Sequence, residues 1–371
     1  PPHPNPLPRK AGGEGVGAAL AVGLFAVSDR LIWHATEVKP YSLDVLVAVA
    51  VAWGYVRSRH WSLINQCVLW ILVLPATIWL SYPTCFVAGG LILGMLPGAW
   101  RSGWGGRLMF IALGLAVATS FVMLATGPAH AQRDAALSDY WVAQLADWRH
   151  PQHVPIWIVG STMEVDRYSL LPFGQFLVPF AVIGAIQIGR RNGRLLTVLL
   201  APAVLTLIAA LLGKYPFGGG RLNVFLAPGY ILLVAEGVPP CWQWLRARAW
   251  LLLIVIVALL LMPVGQTIFR TAMPWPRPDF RTPVAFVFQN GRSGDVISGD
   301  HWELLYYTRD EYWRYETLGG IGSRKLTRVW VITGTDPGVV DAVLSQVPPI
   351  WRRVEAREFD GTIAVLMEFS P

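Results

Sequence analysis

The chain has 371 residues, of which 54% are hydrophobic and only 14% are charged, and its mean hydropathy is +0.46. Ordinary soluble domains carry roughly 25% charged residues, so this composition excludes a typical soluble fold. The net charge of +7 does not indicate nucleic-acid binding, because many basic residues stand in short loops between apolar runs. Basic residues in such loops set membrane topology. We therefore predict a polytopic α-helical membrane protein with no nucleic-acid partner.

The first 16 residues are rich in proline and glycine and contain no apolar core. They also do not resemble a signal peptide, since no small-residue cleavage site follows the next apolar run. We expect a disordered or spurious tail over residues 1–16, and a chain that is truncated at its N-terminus.

Apolar runs of membrane-spanning length follow, each near the roughly 20 residues that cross a bilayer as a helix. We predict about nine transmembrane helices between residues 17 and 266. Their predicted bounds are 17–33, 41–56, 61–80, 82–99, 107–127, 170–189, 195–213, 222–238 and 249–266. In the fourth span, Gly90, Gly94 and Gly98 have the small-residue spacing that is typical of packed membrane helices.

Basic residues occur in every second loop of this arrangement, and the positive-inside rule places those loops in the cytoplasm. They are Arg57, Arg59, Arg101, Arg107, Arg190, Arg191, Arg194, Arg246 and Arg248. The N-terminus is then cytoplasmic, while the segments 34–40, 81–82, 128–169 and 214–221 and everything after about residue 267 lie outside. We predict a multi-pass protein of a bacterial inner membrane with a periplasmic C-terminal domain.

The long outer loop 128–169 contains the segment DAALSDYWVAQLADW, whose apolar residues recur at helical spacing. They are Leu137, Tyr140, Trp141, Leu145 and Trp148. This pattern predicts an amphipathic helix that lies flat at the membrane interface, or an ordinary surface helix.

The same loop offers acids and imidazoles. Asp134, Asp139 and Asp147 are equivalent acid candidates, and His150 and His153 have a spacing that could share a metal. Pro151 disfavours a regular helix between the two histidines, so we assign no metal-ligating residues, although a divalent cofactor stays open. The three cysteines stand far apart, which indicates neither a zinc site nor a disulfide framework.

From about residue 267 the chain becomes charged and its apolar runs shorten. We predict a small extracytoplasmic α/β domain over 267–371, joined by a proline-rich linker, 273–281. Its predicted elements are strands at 295–298 and 328–333, helices around 302–308 and 338–347, and a closing strand pair, 354–358 and 362–369, around an Asp-Gly turn.

Two polar clusters fall on the predicted outer face. The first is HATEVKPYSLD, residues 34–44, in which Pro40 suits the first turn of a helix. Tyr41 and Asp44 then share a helix face, and an acid this close to the hydrocarbon usually faces a protein interior or a wet cavity. Lys39 suits a phosphate, and Glu37 and Asp44 suit a hydroxyl-rich ligand. An interfacial set of ion pairs that anchors two helix ends explains the pattern equally well.

The second cluster is KYPFGGGRLN, residues 214–223. Lys214 and Arg221 are cations at the membrane surface, and Gly218–Gly220 permit close backbone approach. Arg221 begins a predicted helix, whose exposed N–H groups favour an anion. A lipid-linked phosphate suits this loop, whereas an ordinary turn with snorkelling cations is the simpler alternative.

Taken together, EVKPYSLDVL, KYPFGGGRLNVFLAP and an outer domain with DFR, Gly294-Asp295 and Tyr306-Tyr307 resemble bacterial membrane glycosyltransferases of the GT-C class. These are the family 39-like proteins related to protein O-mannosyltransferases and lipid A aminoarabinose transferases. The resemblance covers most of the chain from about residue 20.

The resemblance implies a polytopic fold and transfer of a sugar from a polyprenyl-phosphate carrier to a glycan, lipid or protein acceptor at the periplasmic face. It implies that Glu37, Lys39 and Tyr41 line the site, with Lys214 and Arg221 as phosphate contacts. In that family the general base lies on the first outer loop, a segment that this chain lacks, so no catalytic base is assigned. A transporter or flippase, and a non-catalytic membrane scaffold whose outer domain binds a partner, are the alternatives.

Overall fold

The computed structural model describes residues 12–36, 40–128, 141–246, 249–273, 278–301, 303–321 and 326–370. The chain divides into two compact units, and the boundary lies between Ala272 and Met273. The first unit is helical throughout its described part, and the second contains the β-sheet. The predicted boundary near residue 267 falls inside the last helix of the first unit, because that helix continues to Ala272.

The described part of the first unit contains ten α-helices, with short turns and short 3₁₀ helices between several of them. They are α1 (Gly12–Ala26), α2 (Asp29–Thr36), α3 (Tyr41–Ser58), α4 (Leu63–Leu80), α5 (Thr84–Trp100), α6 (Trp104–Thr126), α7 (Val154–Ser169), α8 (Val178–Leu211), α9 (Ala227–Leu245) and α10 (Trp250–Ala272). Since α1 begins at Gly12, residues 12–16 are helical and not part of a disordered tail.

Within the described residues, five helical segments are long and apolar enough to cross a membrane, and a sixth is obtained if α1 and α2 form one bent span. The five are Leu63–Leu80, Trp104–Thr126, Gly174–Leu211, Arg221–Leu245 and Trp250–Ala272. This composition is compatible with a helical protein embedded in a membrane. It does not confirm nine spans.

Local features explain the shorter count. The predicted first span is bent by 51° between α1 and α2. Helix α3 carries Asp44 and Arg57 at its two ends, which lowers its hydropathy, and α5 has only 17 residues. The sixth and seventh predicted spans lie on the single element α8, which leaves helical geometry at Asn192 (φ −156°, ψ 83°). The Asn192 side chain accepts a hydrogen bond from the Leu195 amide (3.1 Å), so it caps a new helix.

Glycines bring the helices of the first unit into close contact. Gly90 and Gly94 of α5 face Pro202 and Val198 of α8, where an added Cβ atom would lie 2.7 Å from a side-chain atom. The glycine spacing noted in the sequence therefore marks a helix-packing face. In α8, Gly184 meets the backbone of α9 at Leu233, and Gly237 of α9 meets the backbone of α8 at Phe180. No larger residue fits at either backbone crossing.

The described part of the second unit contains a four-stranded sheet and three α-helices. In chain order the elements are α11 (Arg281–Asn290), β1 (Val296–Ser298), α12 (Glu303–Tyr307), β2 (Arg328–Gly334), α13 (Pro337–Leu344), β3 (Trp351–Phe359) and β4 (Thr362–Phe369). The strand order is β1-β2-β4-β3, with β1 parallel to β2 and the other pairs antiparallel. The predicted strands and helices are present, and helix α11 was not predicted.

Two local features set the geometry of this sheet. Strands β1 and β2 are buried along most of their length, which accounts for their continuous apolar runs. Strands β3 and β4 close in a hairpin in which Phe359 pairs with Thr362, and Gly361 has a φ of +69°. Because non-glycine residues rarely adopt this conformation, the predicted Asp360-Gly361 turn has a direct physical cause.

A network of polar side chains surrounds Asp295, the residue that directly precedes β1. The Asp295 carboxylate accepts hydrogen bonds from the Arg328 Nε (2.9 Å), the Trp330 Nε1 (3.0 Å) and the Arg292 amide (2.9 Å). Arg328 also contacts Glu368 of β4 at 2.7 Å. Every oxygen of the buried Asp295 carboxylate is therefore satisfied by a donor, which joins β1, β2 and β4 around one charged pair.

Candidate functional site

The N-terminal end of α3 positions Tyr41 and Asp44, the two described residues of the first polar cluster that were predicted to bind a ligand. Pro40 precedes the helix, and Tyr41 and Asp44 lie on its first turn. Asp44 is only 4% exposed, although it stands at a helix end. Glu37 and Lys39, the other predicted ligand contacts, lie outside the described residues. The structure therefore places Tyr41 and Asp44, and the predictions for Glu37 and Lys39 stay predictions.

Arg221 reaches the same place from the other polar cluster. It is the first residue of a 3₁₀ turn, Arg221–Leu226, that leads directly into α9. Its guanidinium carbon lies 5.6 Å from the centre of the Tyr41 ring and 5.8 Å from that of Trp141. These are cation–π distances. Two segments that are 180 residues apart in the sequence thus meet through Tyr41 and Arg221.

The aromatic rings of Tyr82, Phe86 and Tyr215 pack together next to this contact. The Tyr215 ring lies 6.1 Å from the Tyr82 ring and 5.0 Å from the Phe86 ring. Its hydroxyl donates a hydrogen bond to the Leu222 carbonyl (2.8 Å). Burial and, next, the negative charge of Asp44 raise the pKa of Tyr215 well above its usual range. Tyr215 therefore remains neutral, and its hydroxyl proton is donated to the Leu222 carbonyl.

We call Tyr41, Asp44, Tyr82, Tyr215 and Arg221 the Tyr–Arg cluster. It combines one buried carboxylate, three phenol rings and one guanidinium at the end of α3. Aromatic faces stack on apolar ring surfaces, carboxylates accept from hydroxyl groups, and Arg binds phosphate oxygens in a bidentate manner. The set is therefore suited to a ligand that carries hydroxyls and a phosphate.

The three glycines of the second cluster permit close approach, as predicted, but the groups that approach them belong to the protein itself. A Cβ atom on Gly219 would lie 2.7 Å from the Glu164 carbonyl oxygen of α7, and Gly218 and Gly220 face the Gln144 side chain. The Phe217 amide also donates a hydrogen bond to the Gln144 carbonyl (2.9 Å). Protein atoms therefore occupy the space beside these glycines, so they serve close packing of the loop.

Lys214 lies apart from these contacts along the loop. It follows α8, its side chain is exposed, and its amide donates a hydrogen bond to the Ala209 carbonyl (2.8 Å). The sequence placed Lys214 and Arg221 in one cationic loop, whereas the structure places only Arg221 against Tyr41.

His34 extends the cluster toward α7, and sequence reasoning gave it no role. It is 2% exposed, and its Nε2 lies 2.7 Å from the Tyr168 hydroxyl. Its ring also contacts Tyr41 at a centroid distance of 5.0 Å. His34 thereby ties α2 to α3 and α7 through its contacts with Tyr41 and Tyr168.

The outer loop differs from its predicted conformation. From residue 141 it forms a 3₁₀ turn (Val142–Gln144), an irregular segment, a second 3₁₀ turn (Pro151–His153) and then α7. No interfacial helix therefore runs through Leu145 and Trp148. The Trp148 indole instead donates a hydrogen bond to the Leu211 carbonyl (2.6 Å) at the end of α8. Leu137, Tyr140, Asp134 and Asp139 lie outside the described residues.

Helix α7 within this loop carries an acid that sequence reasoning overlooked. Asp166 is 8% exposed and lines a cavity of about 570 Å³ between α7, α8 and α9, together with Tyr230. Burial raises the pKa of Asp166 to about 7. Burial distinguishes Asp166 from Asp147, an exposed acid in the same loop. The pKa of Asp147 is lowered, chiefly by a hydrogen bond from His150.

Replacing Asp166 with asparagine is expected to stabilise the protein at high pH. The pKa of Asp166 in the folded protein lies above the ordinary value of 3.8. Below about pH 4 the carboxyl is therefore protonated in the folded and the unfolded state alike, and it does not lower the free energy of unfolding. As pH rises, ionisation of Asp166 lowers the free energy of unfolding, and the full loss, on the order of 4 kcal/mol, is reached above about pH 7. In detergent, the melting temperature of Asp166→Asn should be higher than that of wild type at pH 8 and equal to it near pH 4.

The exposed Asp147 supplies the control for this measurement. Asp147→Asn removes the same charge but relieves no burial, so it should give no gain in melting temperature at pH 8. An equal gain for both variants would show that net charge, and not the burial of Asp166, causes the effect.

In the described part of the chain, no group of three or more His, Cys, Asp or Glu side chains lies close enough together to hold a metal ion. His150 contacts Asp147 (Nδ1 to Oδ2, 2.8 Å) and stacks on His153 at 5.7 Å. These three residues are exposed on the surface. Cys67, Cys85 and Cys241 are free thiols.

Comparison with known proteins adds no family assignment. No protein-family model, curated protein or solved structure matches this chain.

Proposed function

We propose that this chain belongs to a glycosyltransferase that takes its sugar from a polyprenyl-phosphate carrier. The observation that carries the proposal is the contact of Arg221 with Tyr41 beside the buried Asp44, at the end of a bundle with membrane-length helices. A lipid-linked sugar phosphate presents an apolar chain, an anion and hydroxyl groups close together. The Tyr–Arg cluster offers a partner for each of the polar parts.

In this proposal Arg221 binds the carrier phosphate and stabilises the charge that develops on it as the sugar departs. The Tyr41 and Tyr82 rings support the sugar, and Asp44 accepts from its hydroxyls. Lys39 and Glu37 keep their proposed roles as phosphate and hydroxyl contacts. The general base that takes the acceptor's proton is not among these residues.

The proposal includes the predicted topology. The enzyme is a multi-pass protein of a bacterial inner membrane, with its N-terminus in the cytoplasm and the unit after Met273 in the periplasm. Geometry within the first unit supports this arrangement, because four predicted outer segments meet one another. Tyr82 contacts Tyr215, Arg221 contacts Trp141, and the His34 Nε2 lies 2.7 Å from the Tyr168 hydroxyl.

Arg221→Gln is expected to lower sugar transfer at least about ten-fold, because a charged hydrogen bond to phosphate contributes roughly 1.5–3 kcal/mol. The assay follows label from polyprenyl-phosphate sugars into acceptor material in membranes that contain the full-length protein. The matched control is Arg149→Gln, which removes an exposed cation from a predicted outer segment without touching the cluster.

Equal transfer by Arg221→Gln and wild type would contradict the assignment of Arg221. Labelled carrier that exchanges across proteoliposome membranes without transfer of the sugar would instead support a transporter or flippase.

A further inference from the structure

Two cavities meet at the C-terminal end of α3, about 22 Å along that helix from Asp44 by the rise of 1.5 Å per residue. The first, the apolar groove, has a volume of about 480 Å³ and runs between α3, α8 and α9. The second, the arginine pocket, has about 450 Å³ and contains polar side chains. Arg59 and Asn192 line both cavities, so the apolar groove and the arginine pocket are adjacent and share part of their wall.

The groove is lined by side chains that suit a hydrocarbon chain, such as Val56, Leu199 and Leu232. Trp53 stands in the same wall and is 67% exposed. A hydrocarbon chain placed here would cover apolar surface that otherwise faces solvent or bilayer.

The arginine pocket is rich in positive charge. Arg59 and Arg194 line it, and Arg191 lines the groove beside it. Glu236 is the one carboxylate among the described residues that line either cavity, and it pairs with Arg191 at 3.5 Å. Arg59 and Arg194 thus have no lining carboxylate to offset them. This charge distribution fits a bound anion.

Two helix N-termini border the same pocket. Helix α4 begins at Leu63, which lines the pocket, and Ser62 caps it through the Asn65 amide (3.3 Å). The second half of α8 begins after Asn192, which also lines the pocket. The partial positive charge of each N-terminus favours an anion and adds to the charge of the arginines.

We propose that the arginine pocket and the apolar groove together bind one anionic membrane phospholipid. Its phosphate lies between Arg59 and Arg194, and one acyl chain lies in the groove. A free phosphate would leave the groove empty, and a neutral lipid would leave the arginines unmatched. Basic pockets between helices at the cytoplasmic side of a membrane are a known means of holding acidic lipid headgroups. The positive-inside rule predicts that side for these residues.

This site is separate from the Tyr–Arg cluster and does not depend on the proposed transferase activity. Asp44 and Arg59 lie at opposite ends of α3. A bound phospholipid would hold the C-terminal end of α3 against α8, near the point where α8 leaves helical geometry at Asn192.

The test is native mass spectrometry of the full chain, delipidated in detergent and titrated with phosphatidylglycerol or with phosphatidylcholine of the same acyl chains. Wild type is expected to retain one phosphatidylglycerol at least ten-fold more tightly than phosphatidylcholine. The double variant Arg59→Gln/Arg194→Gln should lose this preference. Arg57→Gln is the matched control, since Arg57 is exposed on the same turn of α3 and lines neither cavity.

The groove is tested separately with Leu232→Trp, which fills it from α9 and should weaken retention of phosphatidylglycerol while leaving the arginines in place. Thermal unfolding of each variant shows whether it is folded. Equal retention of both lipids by wild type, or an unchanged preference in the folded double variant, would overturn the proposal. Full competition by inorganic phosphate at millimolar concentration would also overturn it, because it would identify a site for a free anion.

Discussion

Gly184→Val is expected to prevent the helices of the first unit from assembling. Gly184 of α8 lies directly against the α9 backbone at Leu233, so a side chain at this position meets backbone that no rotamer change can move. The two helices must then separate, which costs more than the roughly 1–3 kcal/mol of ordinary overpacking. The measurement is the yield of monodisperse protein in detergent and its melting temperature, both of which should fall sharply.

Gly114→Val is the matched control, because Gly114 also lies within a long helix but has no atom within 4 Å of an added Cβ. The two substitutions change helix propensity and apolar surface by the same amount. Gly237→Val should reproduce the effect of Gly184→Val, since Gly237 meets the α8 backbone at Phe180 in the same crossing. A normal yield and melting temperature for Gly184→Val would mean that α8 and α9 do not cross as described.

Asp295→Ala is expected to unfold the second unit while the first unit remains folded. The Asp295 carboxylate is 1% exposed and accepts from Arg328, Trp330 and Arg292. Its removal leaves the Arg328 Nε and the Trp330 indole N–H without their acceptor, while Arg328 keeps only its contact with Glu368. Breaking such a buried pair costs about 3–5 kcal/mol, which is a large part of the stability of a small unit.

Limited proteolysis of the full chain gives the readout. In Asp295→Ala the segment after Met273 should be cleaved rapidly, whereas the helical unit should resist. Asp341→Ala removes an exposed acid from α13 in the same unit and should leave the cleavage rate unchanged. Resistance of Asp295→Ala equal to that of wild type would show that the network contributes little to stability.

Local patterns in the sequence were sufficient for much of the second unit. The apolar runs of β1 and β2 predict buried strands, and Asp360-Gly361 predicts the β3–β4 hairpin because only glycine readily adopts the positive φ of that turn. These are short-range rules that depend on a few neighbouring residues. Helix α11 was missed because its segment, RTPVAFVFQN, follows a proline-rich stretch that reads as a linker.

The candidate site was predictable only in part. Tyr41 and Asp44 were identified because acids and phenols at the edge of an apolar run are costly, and Arg221 because it begins a helix. Their grouping with Tyr215 and Tyr82 was not predictable, since it joins three separate segments of the chain. Asp166 and His34 were missed for the same reason, because only α7, α8 and their neighbours make these polar side chains buried.

The sequence by itself determined that this is a helix-rich protein of membrane-like composition with a small α/β unit at its C-terminus, because composition and hydrophobic period are local properties of the chain. The tertiary structure decided which apolar runs are long straight helices and which are bent or broken, as at Asn192. It also decided which polar residues share a cavity. The physical reason is that burial, close glycine contacts and charge clusters depend on helix packing, which brings together residues that are far apart in the sequence.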